Sequence, residues 1–188
     1  NGELGLVRLG ACEVIDGDER EHAVRESHAR RRHGDPPGVV VVVAAGNSGT
    51  DTPSYPASLS TVISVGALDE AGTGLATFSG RGRWVSVAAP GTAIIGPVPG
   101  NRFAEWSGTS MATPLVAGQL ALLAGIDGLA AKVKPEEVTK KRRELVTRSA
   151  RSLEGTKDGT VDLVGSLTLA AENADRRRAR HRPGRSGR

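Results

Sequence analysis

Five consecutive valines, Val39 to Val43, limit the possible folds of this chain more than any other stretch. A continuous β-branched run without polar alternation is typical of a strand that is buried on both faces of a parallel sheet. The run ends in Ala44-Ala45-Gly46-Asn47-Ser48-Gly49. Ligands of open α/β sheets bind beyond the carboxyl ends of the strands. The sequence therefore predicts an α/β fold with a mostly parallel sheet and a candidate site after the valine run.

Further strands are predicted where short apolar runs end in Gly or Pro, at residues 4–11, 61–67 and 84–88. A helix is predicted over residues 107–124, where apolar residues cover nearly every side, which is typical of a helix in the centre of a domain. Residues 134–148 predict a second, exposed helix with acidic residues at its start and basic residues further along. Strands that alternate with helices indicate a layered α/β architecture.

The 188 residues suffice for one domain, whose core must consist of Val, Ala, Leu and Ile because aromatic residues make up only 3%. We expect residues 1–171 to form this domain. Residues 172–188 contain seven arginines and two acidic residues, and are predicted to be a disordered tail. The tail has a net charge of +5 and the whole chain +4, so residues 1–171 have a net charge of −1. This charge gives the body of the chain no electrostatic preference for nucleic acid. No run of about 18 consecutive apolar residues occurs, so no membrane span is expected.

Ser110 is the candidate nucleophile because it stands at the predicted start of the central helix, two residues after Gly108. The first turn of a helix presents N–H groups without intrahelical partners and a partial positive charge. Both would stabilise an oxyanion that forms beside the serine. A serine at a helix start is also a common cap, so position alone assigns no function. The neighbouring residues provide the specificity.

Residues 107–118, Ser-Gly-Thr-Ser-Met-Ala-Thr-Pro-Leu-Val-Ala-Gly, closely resemble the nucleophile segment of the subtilisin-like serine proteases, the subtilases. Residues 39–49 resemble the strand that leads to the family's oxyanion asparagine, with Asn47 in the matching place. The separation of 63 residues between Asn47 and Ser110 suits the family. Shorter matches follow in the family's order, at Tyr55-Pro56, Val62 to Ala67, Phe78-Ser79 and Ala88 to Gly91. The resemblance is convincing over about residues 38–125.

This resemblance implies a three-layer subtilisin-like fold, of which the chain would be the C-terminal half, and the activity of a serine endopeptidase. Ser110 would attack the scissile carbonyl. The side-chain amide of Asn47 and the backbone N–H of Ser110 would bind the developing oxyanion. Membership of the family also implies secretion. No cofactor is predicted; calcium is possible in the family, but no metal site can be assigned in this sequence.

The resemblance also implies where a peptide or protein substrate would bind. Ala44, Ala45 and Gly46 would form one wall of the pocket for the substrate residue before the cut. The strand around Gly10 would face them, and an extended peptide can add main-chain hydrogen bonds to such a strand.

The aspartate and histidine that activate the serine in subtilases are not recognisable in this sequence. Three of the four histidines lie in a charged stretch before residue 34, and the fourth, His181, lies in the arginine-rich tail. His33 precedes Asn47 by only 14 residues, where the family has a much longer segment. Asp16 precedes Ser110 by 94 residues, which is also too close. We expect both partners to lie upstream in a longer protein, and the chain alone to be close to inactive.

Two other functions stay open at this point. Without the aspartate and histidine, and with Leu115 where the family usually has a histidine, the chain could be a non-catalytic subtilase fold that binds peptides or assembles with a partner. The arginines from Arg176 onward could bind nucleic acid, although the tail has no aromatic residue for base stacking. An α/β-hydrolase is excluded because residues 108–112 lack the second glycine of its nucleophile elbow.

Overall fold

The fold is built on a parallel sheet and one antiparallel hairpin. The computed structural model describes residues 40–126 and 134–180, so the predicted strand at residues 4–11 lies outside the described part. The strands are β1 (Val42–Ala44), β2 (Ile63–Leu68), β3 (Val87–Pro90), β4 (Ile94–Val98), β5 (Arg102–Trp106) and β6 (Gly159–Thr160). Strands β1, β2, β3 and β6 pair in parallel in that order, whereas β4 and β5 form the hairpin. The prediction of a mixed α/β fold with a parallel sheet is confirmed.

The valine run forms a shorter and less buried strand than its sequence predicts. Strand β1 begins at Val42 rather than Val39, and all three of its residues are half-buried. In the described sheet β1 has a single neighbour, β2, whereas β2 lies between β1 and β3 and is buried along its whole length. Burial on both faces is therefore a property of β2, because that strand is central.

A long helix, α1 (Thr109–Ile126), packs across β1, β2 and β3 and forms the core with them. The buried side chains come from the strands, as with Val65 and Val87, and from the helix, as with Val116 and Leu123. All four are fully buried. Aliphatic side chains of small or medium size fill this core, as the low aromatic content predicts.

The opposite side of α1 is open, so the prediction of a helix buried on nearly every side is wrong. Leu115, Leu122 and Ile126 are 46%, 54% and 43% exposed, and their spacing places them on one face of the helix. The apolar residues of α1 thus lie on two faces of the helix. One face packs on the sheet, and the described residues do not cover the other. By length and composition alone α1 could cross a membrane, but core helices of soluble proteins pass the same test.

Gln119 is a polar residue in the middle of the buried side of α1, where it is 4% exposed. Its Nε2 donates to Ser166 Oγ at 2.8 Å and approaches the carbonyl oxygen of Asp162 at 3.4 Å. Ser166 Oγ in turn donates to the carbonyl oxygen of Leu163. A buried amide is tolerated when its hydrogen bonds are satisfied. Gln119 therefore connects α1 to the segment that follows β6.

Two further helices, α2 (Pro135–Ser149) and α3 (Leu163–Arg180), pack against each other and against α1. Helix α2 confirms the predicted second helix but not its exposure, because one face with Val138 and Val146 is buried against the neighbouring helices. Asp162 Oδ1 accepts a hydrogen bond from the backbone N–H of Gly165 at 2.8 Å at the start of α3. Helix α3 continues through residues 172–180, which the sequence predicts to be disordered, and residues 181–188 lie outside the described part. The division of the chain at residue 172 stays a prediction.

Adjacent leucines of α1 allow a direct test of this packing. Leu123 is fully buried and Leu122 is 54% exposed. We expect Leu123→Ala to lower the free energy of unfolding by about 2–3 kcal/mol, because it leaves a cavity in the core. Leu122→Ala, the matched control, is expected to change it by less than about 0.5 kcal/mol, as surface substitutions do. Urea unfolding followed by circular dichroism measures both, and equal losses would contradict the described burial.

Candidate active site

The candidate site lies where the carboxyl ends of β1 and β3 meet the start of α1. The backbone N–H of Gly108 donates to the carbonyl oxygen of Gly91 at 2.7 Å, which fastens the start of the helix to the end of β3. A Cβ atom at Gly91 would lie 2.6 Å from Ala67 Cβ and 2.9 Å from the carbonyl oxygen of Gly108. Only glycine permits this close approach.

The loop that carries Asn47 is held by backbone hydrogen bonds on both sides. The carbonyl oxygen of Gly46 accepts from the N–H of Gly80 at 2.8 Å, and the N–H of Gly49 donates to the carbonyl oxygen of Phe78 at 2.7 Å. Gly46 and Gly49 have φ angles of +93° and +68°, which side chains disfavour. These glycines turn the chain after β1 so that Asn47 faces the start of α1.

Asn47 and Thr109 form the central contact of the site. Asn47 Oδ1 accepts two hydrogen bonds from Thr109, one from the backbone N–H at 2.9 Å and one from Oγ1 at 3.0 Å. A backbone N–H can only donate, so the atom that faces it must be the amide oxygen. Consequently Nδ2 points elsewhere, and within the described residues it donates no hydrogen bond. The amide group is thereby oriented by its oxygen, and its Nδ2 lies 3.5 Å from where a Cβ atom of residue 108 would be.

Thr109 is a residue of the site that the sequence analysis missed. It is fully buried, and its Oγ1 also accepts a hydrogen bond from the N–H of Gly46 at 3.1 Å. Thr109 therefore forms hydrogen bonds with two consecutive residues of the loop, Gly46 and Asn47. The position of Thr109 next to Ser110 could have marked it as a candidate site residue. Its contact with Asn47, 62 positions away, is not indicated by any local pattern.

Ser110 is the second residue of α1 and is half-buried. Pro114, four residues later, has no N–H to donate to the carbonyl oxygen of Ser110. The hydroxyl of Thr113 bonds the carbonyl oxygen of Thr109 at 2.8 Å. Ser110 thus lies at the helix N-terminus, where the partial positive charge of the helix is concentrated. The structure brings Ser110 and Asn47, the two predicted catalytic residues, to the same place through Thr109.

Three of the predicted pocket residues, Ala44, Ala45 and Gly46, lie at the carboxyl end of β1. Ala44 and Gly46 are half-buried, whereas Ala45 is only 2% exposed. The N–H of Ala45 donates to the carbonyl oxygen of Val65 at 2.9 Å, which continues the pairing of β1 with β2. Gly10 lies outside the described residues. The structure thus places three of these residues beside Asn47, and their role towards substrate stays a prediction.

The partners that would activate Ser110 are not found in the described part of the chain. All four histidines and Asp16 lie outside residues 40–126 and 134–180. Within those residues, no group of three or more His, Cys, Asp or Glu side chains could hold a metal ion. A calcium site therefore stays untested.

The fold and this junction define a class of protein: a parallel α/β domain whose central helix starts at a Gly-Thr-Ser segment beside an asparagine amide. The sequence model of the subtilase family matches residues 10–166. The chain belongs to the subtilase family, as the resemblance indicates.

Curated relatives agree with this membership. A thermophilic serine proteinase of Bacillus sp. (strain AK1) is 56% identical over 87 residues, which are 46% of this chain and 21% of that protein. Subtilisin BL of Lederbergia lenta is 37% identical over 139 residues, which are 74% of this chain and 47% of that protein. The chain therefore spans less than half the length of these relatives.

Solved structures of proteases have the same fold. The S218A mutant of the protease domain of PatA is 31% identical, with a TM-score of 0.65, and the match covers 79% of this chain and 52% of that one. The prenylagaramide maturation protease PagA is 28% identical, with a TM-score of 0.62, and the match covers 78% of this chain and 54% of that one. The described architecture thus corresponds to about half of a subtilisin-like protease domain.

Proposed function

We propose that the chain carries the nucleophile and the oxyanion site of a serine endopeptidase. One observation supports this most strongly: Asn47 Oδ1 accepts both hydrogen bonds of Thr109, the residue before Ser110. The contact holds Asn47 against the residue that precedes a serine at a helix N-terminus, and it supports the proposal because an acyl-transfer site needs both an oxyanion donor and a nucleophile. Membership of a protease family implies peptides or proteins as substrates.

In this proposal Ser110 Oγ attacks the carbonyl carbon of the scissile peptide bond and transfers its proton to a base. The carbonyl oxygen becomes an oxyanion, which Asn47 Nδ2 and the backbone N–H of Ser110 stabilise. The base then protonates the departing amine, and water hydrolyses the resulting acyl-enzyme. Asn47 favours the transition state over the ground state because Thr109 holds its amide before the charge develops.

The base and the aspartate that orients it are proposed to come from outside residues 40–126 and 134–180, since the described residues contain no histidine. A serine hydroxyl is a weak nucleophile until a base takes its proton. Because none of the four histidines in the 188 residues stands at the family's spacing from Asn47 and Ser110, we expect the chain by itself to be close to inactive.

The remaining parts of the site follow from the same proposal. Ala44 and Gly46 would contact the substrate residue before the cut, and Ala45, whose side chain is buried, would do so through its backbone. The segment around Gly10, which lies outside the described residues, is proposed to pair with the substrate from the opposite side. Extracellular action is proposed from family membership alone.

Labelling with a fluorophosphonate probe tests the proposal. We expect Ser110 to be labelled in the longest protein that the reading frame encodes and to stay unlabelled in the 188-residue chain. Mass spectrometry of the labelled peptide identifies the serine. If the longer protein stays unlabelled, the alternative holds, namely a non-catalytic subtilase fold that binds peptides or assembles with a partner. Ordinary peptide turnover by the 188-residue chain would refute the need for outside residues.

Thr109 is proposed as a positioning residue for Asn47. We expect Thr109→Val to lower kcat of the active longer protein by about fivefold to tenfold, because a hydrogen bond that holds the amide is worth about 1 kcal/mol. KM should change little, and Thr109→Ser, which keeps the hydroxyl, should restore kcat. In an Asn47→Leu background the Thr109→Val substitution should have almost no further effect on kcat. Equal losses of kcat in both backgrounds would show that Thr109 does not act through Asn47.

A further inference from the structure

A groove between α2 and α3 has a basic rim that the proteolytic site does not use. It encloses a cavity of about 170 Å³, and none of its lining residues belongs to the Asn47–Ser110 site. Lys141, Arg148 and Arg177 supply three positive charges, and Glu144 supplies one negative charge. The net charge of these four side chains is therefore positive.

The basic side chains of the rim differ in how far they are already engaged. Lys141 Nζ lies 2.9 Å from Glu137 Oε1, and this hydrogen bond holds the pKa of the Glu137 carboxyl below its ordinary value. Arg148, by contrast, is exposed and forms no ion pair with any residue that the structure describes. Arg148 is thus the member of the rim with the most capacity for an incoming carboxylate.

The floor of the groove is apolar and small. Leu145, of which 6% is exposed, and the half-buried Leu169 line it together with the amide of Asn173. Leu169, Asn173 and Arg177 follow each other at four-residue intervals along one face of α3. Along this face of α3, the groove is therefore lined first by an apolar side chain, then by an amide that can both donate and accept hydrogen bonds, and then by a positive charge.

We propose that this groove is a docking site for an acidic peptide segment in which an apolar side chain is flanked by carboxylates. The apolar side chain would lie on Leu145 and Leu169, and a carboxylate would pair with Arg148. A peptide fits better than a nucleic acid because the lining contains no aromatic residue for base stacking and the cavity is as small as one or two side chains. Resting on the proposed protease function, the complementary charge would steer an acidic segment of the substrate to this groove.

The test uses the 188-residue chain and a short fluorescein-labelled peptide in which glutamates flank a single leucine. We expect saturable binding by fluorescence anisotropy that weakens with added salt. Arg148→Glu should weaken binding by about tenfold, because it replaces one attraction with one repulsion. Arg83→Glu, the matched control, reverses an exposed arginine that is not part of the groove and should change the affinity by less than about twofold.

The peptide itself supplies the remaining controls. Exchange of its glutamates for glutamine should abolish binding, and exchange of its leucine for serine should weaken it. Equal binding of the glutamine peptide, or an equal loss in the Arg83→Glu variant, would overturn the proposal. Binding of duplex DNA that is tighter than that of the peptide and equally sensitive to Arg148→Glu would show a nucleic-acid surface instead. The proteolytic proposal is independent of these outcomes, because it is tested by labelling of Ser110.

Discussion

Ser110→Ala is expected to lower peptide hydrolysis by the active longer protein by about 10⁶-fold, a figure that comes from a subtilisin of the same family. The substitution removes Oγ, the atom that would form the acyl-enzyme, so alanine cannot act as a nucleophile at all. Binding of a peptide substrate should persist, since Asn47 and the backbone of β1 are unchanged. Turnover of a fluorogenic peptide measures kcat, and fluorophosphonate labelling should disappear in the same variant.

Ser107→Ala is the matched control for this experiment. Ser107 belongs to the same segment, and its Oγ accepts a hydrogen bond from the backbone N–H of Ala93 at 3.0 Å. Its loss should lower stability by about 1 kcal/mol and leave kcat within about an order of magnitude. A Ser110→Ala variant with activity similar to that of Ser107→Ala would exclude Ser110 as the nucleophile.

Asn47→Leu is expected to lower kcat of the longer protein by about 10²–10³-fold with little change in KM, a range that was established for the oxyanion asparagine of a subtilisin. The reason is that Nδ2 would interact with charge that exists only in the transition state. Leucine has a similar volume but no donor, and the hydrogen bonds to Thr109 are lost with it.

Asn47→Asp separates the donor from the acceptor function of this side chain. Aspartate can still accept from the N–H and Oγ1 of Thr109, but it has no Nδ2 and places a negative charge beside the oxyanion. We expect a loss of kcat at least as large as that of Asn47→Leu, while thermal stability stays closer to that of the parent. An active Asn47→Asp enzyme would show that Asn47 only supports the loop and does not bind the oxyanion.

The predicted positions of Ser110 and Asn47 rest on local sequence. Residues 107–118 and 39–49 are continuous segments in which the order of residues identifies the family, and the family model and the fold agree with this identification. The start of α1 could also be predicted, within two residues, from the Gly-Thr-Ser segment. These features are local because a turn, a helix start and a nucleophile motif are each defined by adjacent residues.

Burial could not be predicted in the same way. The apolar residues of α1 are alike in sequence, yet Leu123 is fully buried and Leu122 is 54% exposed. Similarly, residues 172–180 have the composition of a solvated tail but continue α3, which is packed along α2. Whether an apolar or a charged residue is covered depends on which elements lie beside it, and those neighbours are distant in sequence.

The amino-acid sequence by itself determined the family and the α/β class and singled out Ser110 and Asn47 as candidate catalytic residues, because each of these rests on short contiguous segments. Only the tertiary structure decided that Thr109 holds Asn47 by its amide oxygen, that Gln119 is a buried link to Ser166, and that α2 and α3 enclose a basic groove. Each of these contacts joins segments far apart in the chain. Such pairings form when strands and helices pack together, and no local residue pattern encodes them.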